Sequence, residues 1–469
     1  MKSRRWSGAP RPLDLPCDDL LPAAARTRTV NQISPTLRNE PEGVSINAWS
    51  SIKDTFGSPK VTRAEGVYFH DDTGKRWLDF TAQLFNVNLG HQDRRIIDAI
   101  KAQAEKLCFI SPFYRNEPRE ELARLLATVT PGDLNTFFFM NSGTEANEAA
   151  LTFARMVTGR PKVMSRYRSY HGTGLTTLGV SGDPRRGASA NNFASSVKFP
   201  NPYCYRCTFK QTYPSCGVVC ATSIEEQILA EGPDTIAAMI FEPITGGNGP
   251  IVAPPEYYKI LRQLCDKYGI LMIADEVING FGRTGKWFAM QHYDVVPDMM
   301  TVSKGINGGV LPLGAVMMSD AIARKFSDRS VAIGSTQTGN PLSCAAGVAA
   351  ISAMIEDHVV DNAATRGAYL MRRLKELEAK HRLVGEVRGL GLLATLELVK
   401  DRASREPLVQ WNAPDPLVGR IKALFNERGV QIHVRSNQIV ISPPLTITEA
   451  ELEEGLRAVD EVLGILEAG

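Results

Sequence analysis

The chain has 469 residues, of which 43% are apolar and 22% are charged. This composition is typical of a globular protein and excludes a disordered or fibrous chain. The 53 Lys and Arg side chains nearly balance the 51 Asp and Glu side chains, so that the net charge is +2. Dedicated nucleic-acid binders usually carry a basic excess, and we therefore expect no nucleic-acid partner.

The N-terminus predicts neither a membrane anchor nor a secretory signal. No apolar run reaches the ~18 residues of a membrane span, and the basic segment MKSRRWSGAP is not followed by an apolar core. We therefore expect a cytoplasmic protein with no membrane partner. Residues 1–30 are expected to form a mobile arm, with an ordered subunit contact as the alternative.

Short apolar runs alternate with amphipathic stretches from residue 60 onward. In chain order, they predict a hairpin over 66–80 with the turn Asp72-Thr73-Gly74, a helix over 117–128, a strand over 135–140, a strand over 235–241, a helix over 255–268 and a strand over 270–274. Buried strands that alternate with helices of this length predict an α/β fold with a mainly parallel sheet.

The pattern changes near residue 355, where charged amphipathic stretches become more frequent. From there the sequence predicts helices over 364–381, 417–428 and 449–463, and strands over 391–399, 430–434 and 438–441. This succession indicates a smaller α+β domain at the C-terminal end.

Four of the eight cysteines cluster in the pattern C-x2-C-x8-C-x3-C. They are Cys204, Cys207, Cys216 and Cys220. The spacing is compatible with a zinc site, but the gap of eight residues is tighter than in most zinc ribbons, and aromatic residues flank it. We expect structural thiols and no metal, with a structural metal and a redox function as the open alternatives.

The segment after the strand over 135–140 is a candidate anion site. Ser142, Gly143 and Thr144 precede a helix expected over 148–157, where free backbone N–H groups and a hydroxyl suit a phosphate. The alternative is an ordinary helix cap, since Ser and Thr are favoured at that position.

Two further candidates follow strand-like runs. Asp275 ends the apolar run over 270–274, and a strand-end carboxylate at the edge of a parallel sheet faces the ligand crevice; the alternative is a loop cap. Lys304, between Ser303 and Gly305, is sterically open, and such a lysine forms a Schiff base when its pKa is depressed. The alternative is a surface lysine.

Together the three segments indicate pyridoxal phosphate (PLP) chemistry. That cofactor needs a lysine for its aldehyde, an acid for its pyridine nitrogen and N–H groups for its phosphate. The combination is more specific than any one of the three segments.

On these residues the sequence resembles the class III PLP-dependent aminotransferases, the ω-aminotransferase group of fold type I, over residues 45–465. The matching motifs occur in the same order: SGTEAN at 142–147, YHG at 170–172, FEPITG at 241–246, DEV at 275–277, SKG at 303–305, T-x-x-G-N-P at 336–341 and RGLG at 388–391. The cysteine-containing insert, YCYRC followed by YPSC, resembles the taurine–pyruvate branch of this group.

The resemblance implies a role for each matching residue. Lys304 would bind the cofactor aldehyde and transfer the proton, while Asp275 would keep the pyridine nitrogen protonated. The remaining positions surround the cofactor: Ser142, Gly143 and Thr144 at the phosphate, Thr336 completing that site from the other subunit, Tyr170 and Val277 on the two ring faces, and His171 and Glu242 close by. The implied assembly is a homodimer or a dimer of dimers.

The resemblance also implies a substrate site and a domain plan. Trp49 and Phe85 would line the pocket, with core packing as the alternative, and Arg435 would pair with the acceptor's carboxylate because Arg binds carboxylates in a bidentate manner. The expected organisation is an N-terminal segment over 31–85 that contributes to the small domain and the active site, a large PLP-binding domain over 86–350 and a small domain over 351–469.

The implied activity is a ping-pong transamination. The donor would be an ω-amino acid or amine, among which an aminosulfonate is one candidate, and the acceptor would be a 2-oxo acid, foremost pyruvate. The rival is an amino-acid epimerase or aminomutase on the same scaffold. A non-catalytic binding relative is disfavoured because Lys304 and Asp275 are both present.

Overall fold

The computed structural model describes residues 45–187 and 195–468, so the arm expected over 1–30 lies outside the described residues. Contacts divide the chain into two units, Met1–Lys60 and Val61–Gly469. In the first unit, the described residues form one short helix, Ile52–Phe56. It begins after Ser51, whose hydroxyl accepts a hydrogen bond from the Asp54 N–H at 3.1 Å.

Helices occur in both halves of the chain. In chain order they are α1 (Ile52–Phe56), α2 (Ala82–Phe85), α3 (Arg94–Lys106), α4 (Glu117–Ala127), α5 (Gly143–Thr158), α6 (Leu175–Val180), α7 (Val219–Thr222), α8 (Ile224–Glu231), α9 (Tyr257–Tyr268), α10 (Asp320–Ala323), α11 (Pro341–Glu356), α12 (Val359–Lys380), α13 (Pro416–Glu427) and α14 (Glu449–Ala468). Within the described residues, no helix by itself has the length and apolarity to cross a membrane; α11 and α12, bent by 61°, meet the criterion only as a pair.

The strands are short. In chain order they are β1 (Val61–Glu65), β2 (Tyr68–Asp71), β3 (Arg76–Asp79), β4 (Thr136–Met140), β5 (Lys162–Arg166), β6 (Ser196–Phe199), β7 (Ile236–Phe241), β8 (Ile244–Thr245), β9 (Ile251–Val252), β10 (Leu271–Asp275), β11 (Met299–Val302), β12 (Gly314–Met318), β13 (Val384–Leu390), β14 (Leu393–Asp401), β15 (Glu406–Pro407), β16 (Val430–Gln431), β17 (His433–Arg435) and β18 (Gln438–Ile441).

A seven-stranded sheet forms the centre of the second unit, in the order β4-β12-β11-β10-β7-β5-β6. Only β12 runs antiparallel to its neighbours, while the other pairings are parallel. Strand β7, with the sequence IAAMIF, is buried at every position, as expected for a strand covered on both faces. The mainly parallel α/β sheet predicted from the sequence is therefore confirmed.

The C-terminal part forms a second sheet, in the order β13-β14-β18-β17, with β15 paired to β14. A third sheet joins distant parts of the chain, because β16 pairs in parallel with β3 and places Val430 opposite Leu78. Helix α14 then packs over β3, since a Cβ at Gly455 would lie 2.4 Å from the Phe80 ring. The predicted C-terminal helices and strands are all present, although α12 begins at Val359 and not at residue 364.

We predict that Gly455→Ala lowers stability. The added methyl group would overlap the fully buried Phe80 ring, and overpacking of this kind costs about 1–3 kcal/mol. Gly464→Ala, in the same helix, is the matched control because a Cβ there meets no atom within 4 Å. Because alanine has a higher helix propensity than glycine, Gly464→Ala should stabilise the protein by ~0.5–1 kcal/mol. Thermal unfolding midpoints should move in opposite directions; an unchanged midpoint for Gly455→Ala would contradict the packing argument.

Candidate active site

Three of the segments singled out by the sequence follow strands of the seven-stranded sheet. Asp275 is the last residue of β10, Lys304 follows β11 by two residues, and Ser142 follows β4 by two residues. These three strands run in the same direction, because β12 is antiparallel to both β4 and β11. The carboxyl ends of parallel strands meet at one edge of a sheet, where ligand crevices form. The three segments therefore share that edge.

Asp275 is the centre of a buried hydrogen-bond network. Its Oδ2 atom is 2.7 Å from His171 Nδ1 and accepts a hydrogen bond from Asn147 Nδ2 at 2.8 Å. Its Oδ1 atom accepts the Val277 N–H at 3.1 Å. The carboxylate is 2% exposed, so these donors replace the water that would otherwise stabilise its charge.

Asn147 has two further bonds that fix its orientation. Its Nδ2 atom also donates to the His171 carbonyl at 2.8 Å, and its Oδ1 atom accepts the Thr301 hydroxyl at 2.6 Å. Thr301 pairs with Asp275 across β10 and β11. Asn147 lies within the SGTEAN motif, but its neighbours in the chain do not indicate a role for it. Only the contact across 128 positions shows that its amide faces Asp275.

Lys304 begins a short 3-10 turn, Lys304–Ile306, directly after β11. Its φ of 48° lies in the left-handed region, which non-glycine residues rarely occupy and which is frequent at functional sites. Burial lowers the pKa of the Lys304 amine, and the nearby carboxylates of Asp275 and Glu242 oppose that shift. A lysine with a depressed pKa carries a larger fraction of the neutral, nucleophilic amine.

Glu242 ties together two backbone segments beside this amine. Its Oε1 atom accepts the Tyr170 N–H at 3.0 Å, and its Oε2 atom accepts the Gly246 N–H at 2.8 Å. Burial raises the pKa of Glu242, with His171 lowering it and Asp275 raising it further. The carboxylate thus orients the loop that carries Tyr170.

The N-terminus of α5 is close-packed. Ser142 caps the helix by accepting the Glu145 N–H at 3.2 Å, and a Cβ on Gly143 would lie 2.8 Å from Val277 Cγ1. A Cβ on Gly172 would lie 2.6 Å from Thr144 Oγ1. Glycines at both positions therefore let the backbone of the two loops approach, as a phosphate-binding turn requires. Helix α5 begins at Gly143, five residues earlier than the sequence predicts.

These groups fit pyridoxal phosphate. The N-terminus of α5 at Ser142–Thr144 would hold the phosphate, Asp275 would accept the pyridine N–H, and Lys304 would bind the aldehyde. Among the described residues, the buried His171 Nε2 atom has no hydrogen-bonding partner. A polar ligand is expected where buried polar groups lack partners.

Tyr170 and Thr336 differ in their exposure. The Tyr170 ring is half-buried and carries the Arg185 guanidinium 3.9 Å from its centroid. Thr336 is exposed, and its neighbour Ser335 accepts a hydrogen bond from Asn141 Nδ2 at 2.6 Å in the same chain. The contribution of Thr336 to a partner's phosphate site stays a prediction.

The three predicted substrate residues have different surroundings. Arg435, on β17, donates from Nη2 to Asp183 Oδ2 at 3.0 Å. Phe85 is buried, with its ring 6.1 Å from that of His433 in an edge-on arrangement. Trp49 belongs to the first unit and is 63% exposed. Their roles toward a substrate stay predictions.

The cysteine-containing insert is anchored by polar contacts to the C-terminal sheet. Tyr203 and Arg206 both hydrogen-bond the buried Glu397 of β14. Burial raises the pKa of Cys220 to about 12, so this thiol stays protonated at neutral pH. Across residues 45–187 and 195–468, no three His, Cys, Asp or Glu side chains are placed to hold a metal ion. Whether these thiols have a purely structural role stays a prediction.

Residues 53–463 match the family model described as aminotransferase class-III. The taurine–pyruvate aminotransferase of Bilophila wadsworthia is 34% identical over 423 residues, which cover 86% of this chain and 92% of that protein. The leucine/methionine racemase of Thermococcus litoralis is 33% identical over 425 residues, covering 88% of this chain and 93% of the racemase.

Solved structures are also similar. The taurine:2-oxoglutarate aminotransferase from Bifidobacterium kashiwanohense, in complex with PLP and glutamate, superposes with a TM-score of 0.87 at 40% identity. The alignment covers 90% of this chain and 96% of that one. The fold type I architecture and the PLP cofactor predicted from the sequence are thereby confirmed.

We predict that Asn147→Asp weakens PLP binding about tenfold or more, because two carboxylates in contact raise the pKa of the pair and one of them stays protonated. Asp275 would then hold the pyridine N–H less well. Thr301→Val is the matched control, since it removes only the bond to the far side of Asn147, and its effect should be smaller. Cofactor dissociation constants measured by fluorescence titration check this; equal effects of the two variants would contradict it.

Proposed function

The chain belongs to the class-III aminotransferase family and is a PLP-dependent aminotransferase; on this premise, we propose that it transfers the amino group of an ω-amino acid or amine to pyruvate. Aminosulfonates are among the proposed donors. The donor proposal is supported by two relatives that are named for taurine, one with pyruvate and the other with 2-oxoglutarate.

The placement of Lys304 beside Asp275 and Glu242 carries the proposal. PLP, when bound, supplies an aldehyde that exchanges with amines and a ring that accepts an electron pair. Lys304 would hold the aldehyde and, once released by the donor's amine, would move a proton at Nζ. Asp275 would keep a positive charge on the pyridine nitrogen, and its contacts with His171 and Asn147 hold the carboxyl group in position.

Arg435 supports an acidic substrate. Its guanidinium lies 5.2 Å from the centroid of the Trp411 ring and contacts the buried Asp183, while the Arg435 side chain itself is 26% exposed. A partly accessible guanidinium suits bidentate recognition of a carboxylate or sulfonate. We assign it the acid group of the acceptor and of acidic donors.

We further propose that the enzyme acts as a homodimer or a dimer of dimers in the cytoplasm. Exposed aromatic and apolar side chains, among them Phe109, Phe113 and Val331, line a surface cleft that also contains Thr336. Phe113 is 95% exposed, and clustered apolar surface of this kind is typical of protein interfaces. The dimer proposal is therefore supported by the same surface that would place Thr336 near a partner.

The proposal predicts that taurine or another ω-amine, incubated with pyruvate and the PLP-loaded protein, yields alanine. Lys304→Ala is the inactive control, because it removes the amine that would hold the aldehyde. Chromatography of the amino acids formed provides the measurement, with 2-oxoglutarate and glutamate run in parallel. If glutamate forms and alanine does not, the assignment of pyruvate as acceptor is wrong, while the assignment of transaminase activity stands.

The role of Arg435 predicts a selective defect. Arg435→Ala should raise the KM for pyruvate about tenfold or more, in line with the loss of a charge-assisted hydrogen bond, while the KM for an uncharged aldehyde acceptor should change less. Arg420→Ala, at an exposed position of α13, is the control. An equal rise in the KM for both acceptors would show that Arg435 does not bind the carboxylate of the acceptor.

An isomerase is the second candidate, favoured by the racemase relative at 33% identity. The same residues would then return the proton to the substrate carbon without an acceptor. Conversion of one enantiomer of an amino acid into the other in the absence of any 2-oxo acid would support this function over transamination.

A further inference from the structure

Asp183 connects two guanidinium groups near the candidate active site. Arg185 donates to it from Nε at 2.8 Å and from Nη2 at 3.0 Å, and Arg435 donates from Nη2 at 3.0 Å. Asp183 is fully buried, whereas the Arg435 side chain retains 26% of its exposure. The Arg185 side chain is 34% exposed. Asp183 is therefore the buried member of both ion pairs, and the guanidiniums are the groups that a substrate can reach.

Both arginines also lie against aromatic rings. The Arg185 guanidinium is 3.9 Å from the centroid of Tyr170, the residue assigned to a face of the cofactor ring. The Arg435 guanidinium lies 5.2 Å from the centroid of Trp411. Arg185 therefore links the Asp183 carboxylate to Tyr170, on the cofactor side of the candidate site. Arg435 links the same carboxylate to Trp411, in the C-terminal part of the chain.

The charges of this cluster allow the Arg435 side chain to break its ion pair with Asp183. A buried carboxylate without a cationic partner is costly, so a single Arg435–Asp183 pair would resist opening. Arg185 removes this obstacle, because its bidentate bond still neutralises Asp183 when Arg435 turns to another anion. Two guanidiniums on one carboxylate give the group a net charge of +1, which suits one acidic substrate group.

We propose that Asp183 is a positioning residue that competes with the acid group of the substrate for Arg435, and that it thereby sets the preference between acidic and uncharged substrates. The proposal rests on the assignment of Arg435 to the substrate's acid group. The ligand class is a carboxylate or sulfonate on the substrate, and Arg185 determines how readily Asp183 releases Arg435.

Two variants of the PLP-loaded enzyme should change the KM for the 2-oxo acid in opposite directions. Asp183→Asn removes the competitor, so the KM for pyruvate should fall about three- to tenfold, with a smaller change for an uncharged aldehyde. Arg185→Gln leaves Arg435 as the cation that must neutralise Asp183, so the KM for pyruvate should rise about two- to fivefold. A residue with a purely structural role would raise the KM for both acceptors in both variants.

The same substitutions in an Arg435→Ala background are the decisive control. If Asp183 acts through Arg435, both shifts in acid preference should disappear there. A pyruvate KM that rises in Asp183→Asn, or a shift that persists without Arg435, overturns the proposal. The thermal midpoint of Asp183→Asn shows whether this variant folds. If it does not, Arg185→Gln is the test, and the proposal is overturned if the ratio of the KM for pyruvate to the KM for the aldehyde is unchanged in that variant.

The two proposals fail in distinguishable ways. If wild-type enzyme uses 2-oxoglutarate and not pyruvate, the acceptor assignment fails, and the variant series is run with 2-oxoglutarate under the same expectations. If Arg435→Ala affects acid and aldehyde equally, the role of Arg435 fails, and the competition by Asp183 falls with it. If Arg435→Ala is selective but Asp183→Asn is not, only the competition is wrong.

Discussion

The buried charge of Asp275 is the constraint on which the rest of the site depends. A carboxylate that is 2% exposed must receive hydrogen bonds from the protein, and it receives them from His171, Asn147 and its own loop. Each donor is in turn held by another element, because His171 N–H donates to Ser181 Oγ and Asn147 accepts from Thr301. The network therefore fixes α5, β10 and β11 relative to one another.

The same carboxylate sets the electrostatics of its surroundings. Its charge opposes the fall in the Lys304 pKa that burial causes, and it adds to the rise in the Glu242 pKa. A bound pyridinium would bring a positive charge to Asp275, which explains why the geometry suits a protonated cofactor ring.

The acid recognition that we propose would depend on a different arrangement, in which two distant parts of the chain meet. Arg435 on β17 contacts Asp183, which lies 252 positions earlier in the loop after α6. The insert with the four clustered cysteines is anchored to the same sheet, since Tyr203 and Arg206 bind Glu397 of β14, which is separated from β17 by β18. Selectivity for acidic substrates would thus be coupled to how firmly the C-terminal sheet is held.

The sequence by itself determined the family, the cofactor and the central elements. Apolar runs such as β7 predict their own strand because burial on both faces leaves a continuous pattern, and Lys304, Asp275 and the Ser142–Thr144 turn are recognisable from their neighbours in the chain. The sequence does not predict β12, because the five-residue apolar run GAVMM is too short for its periodicity to separate strand from helix. Tertiary structure alone decided which groups meet: Asn147 with Asp275, and Asp183 with both Arg185 and Arg435. These contacts join residues far apart in sequence, and no local pattern encodes the partner of a buried charge.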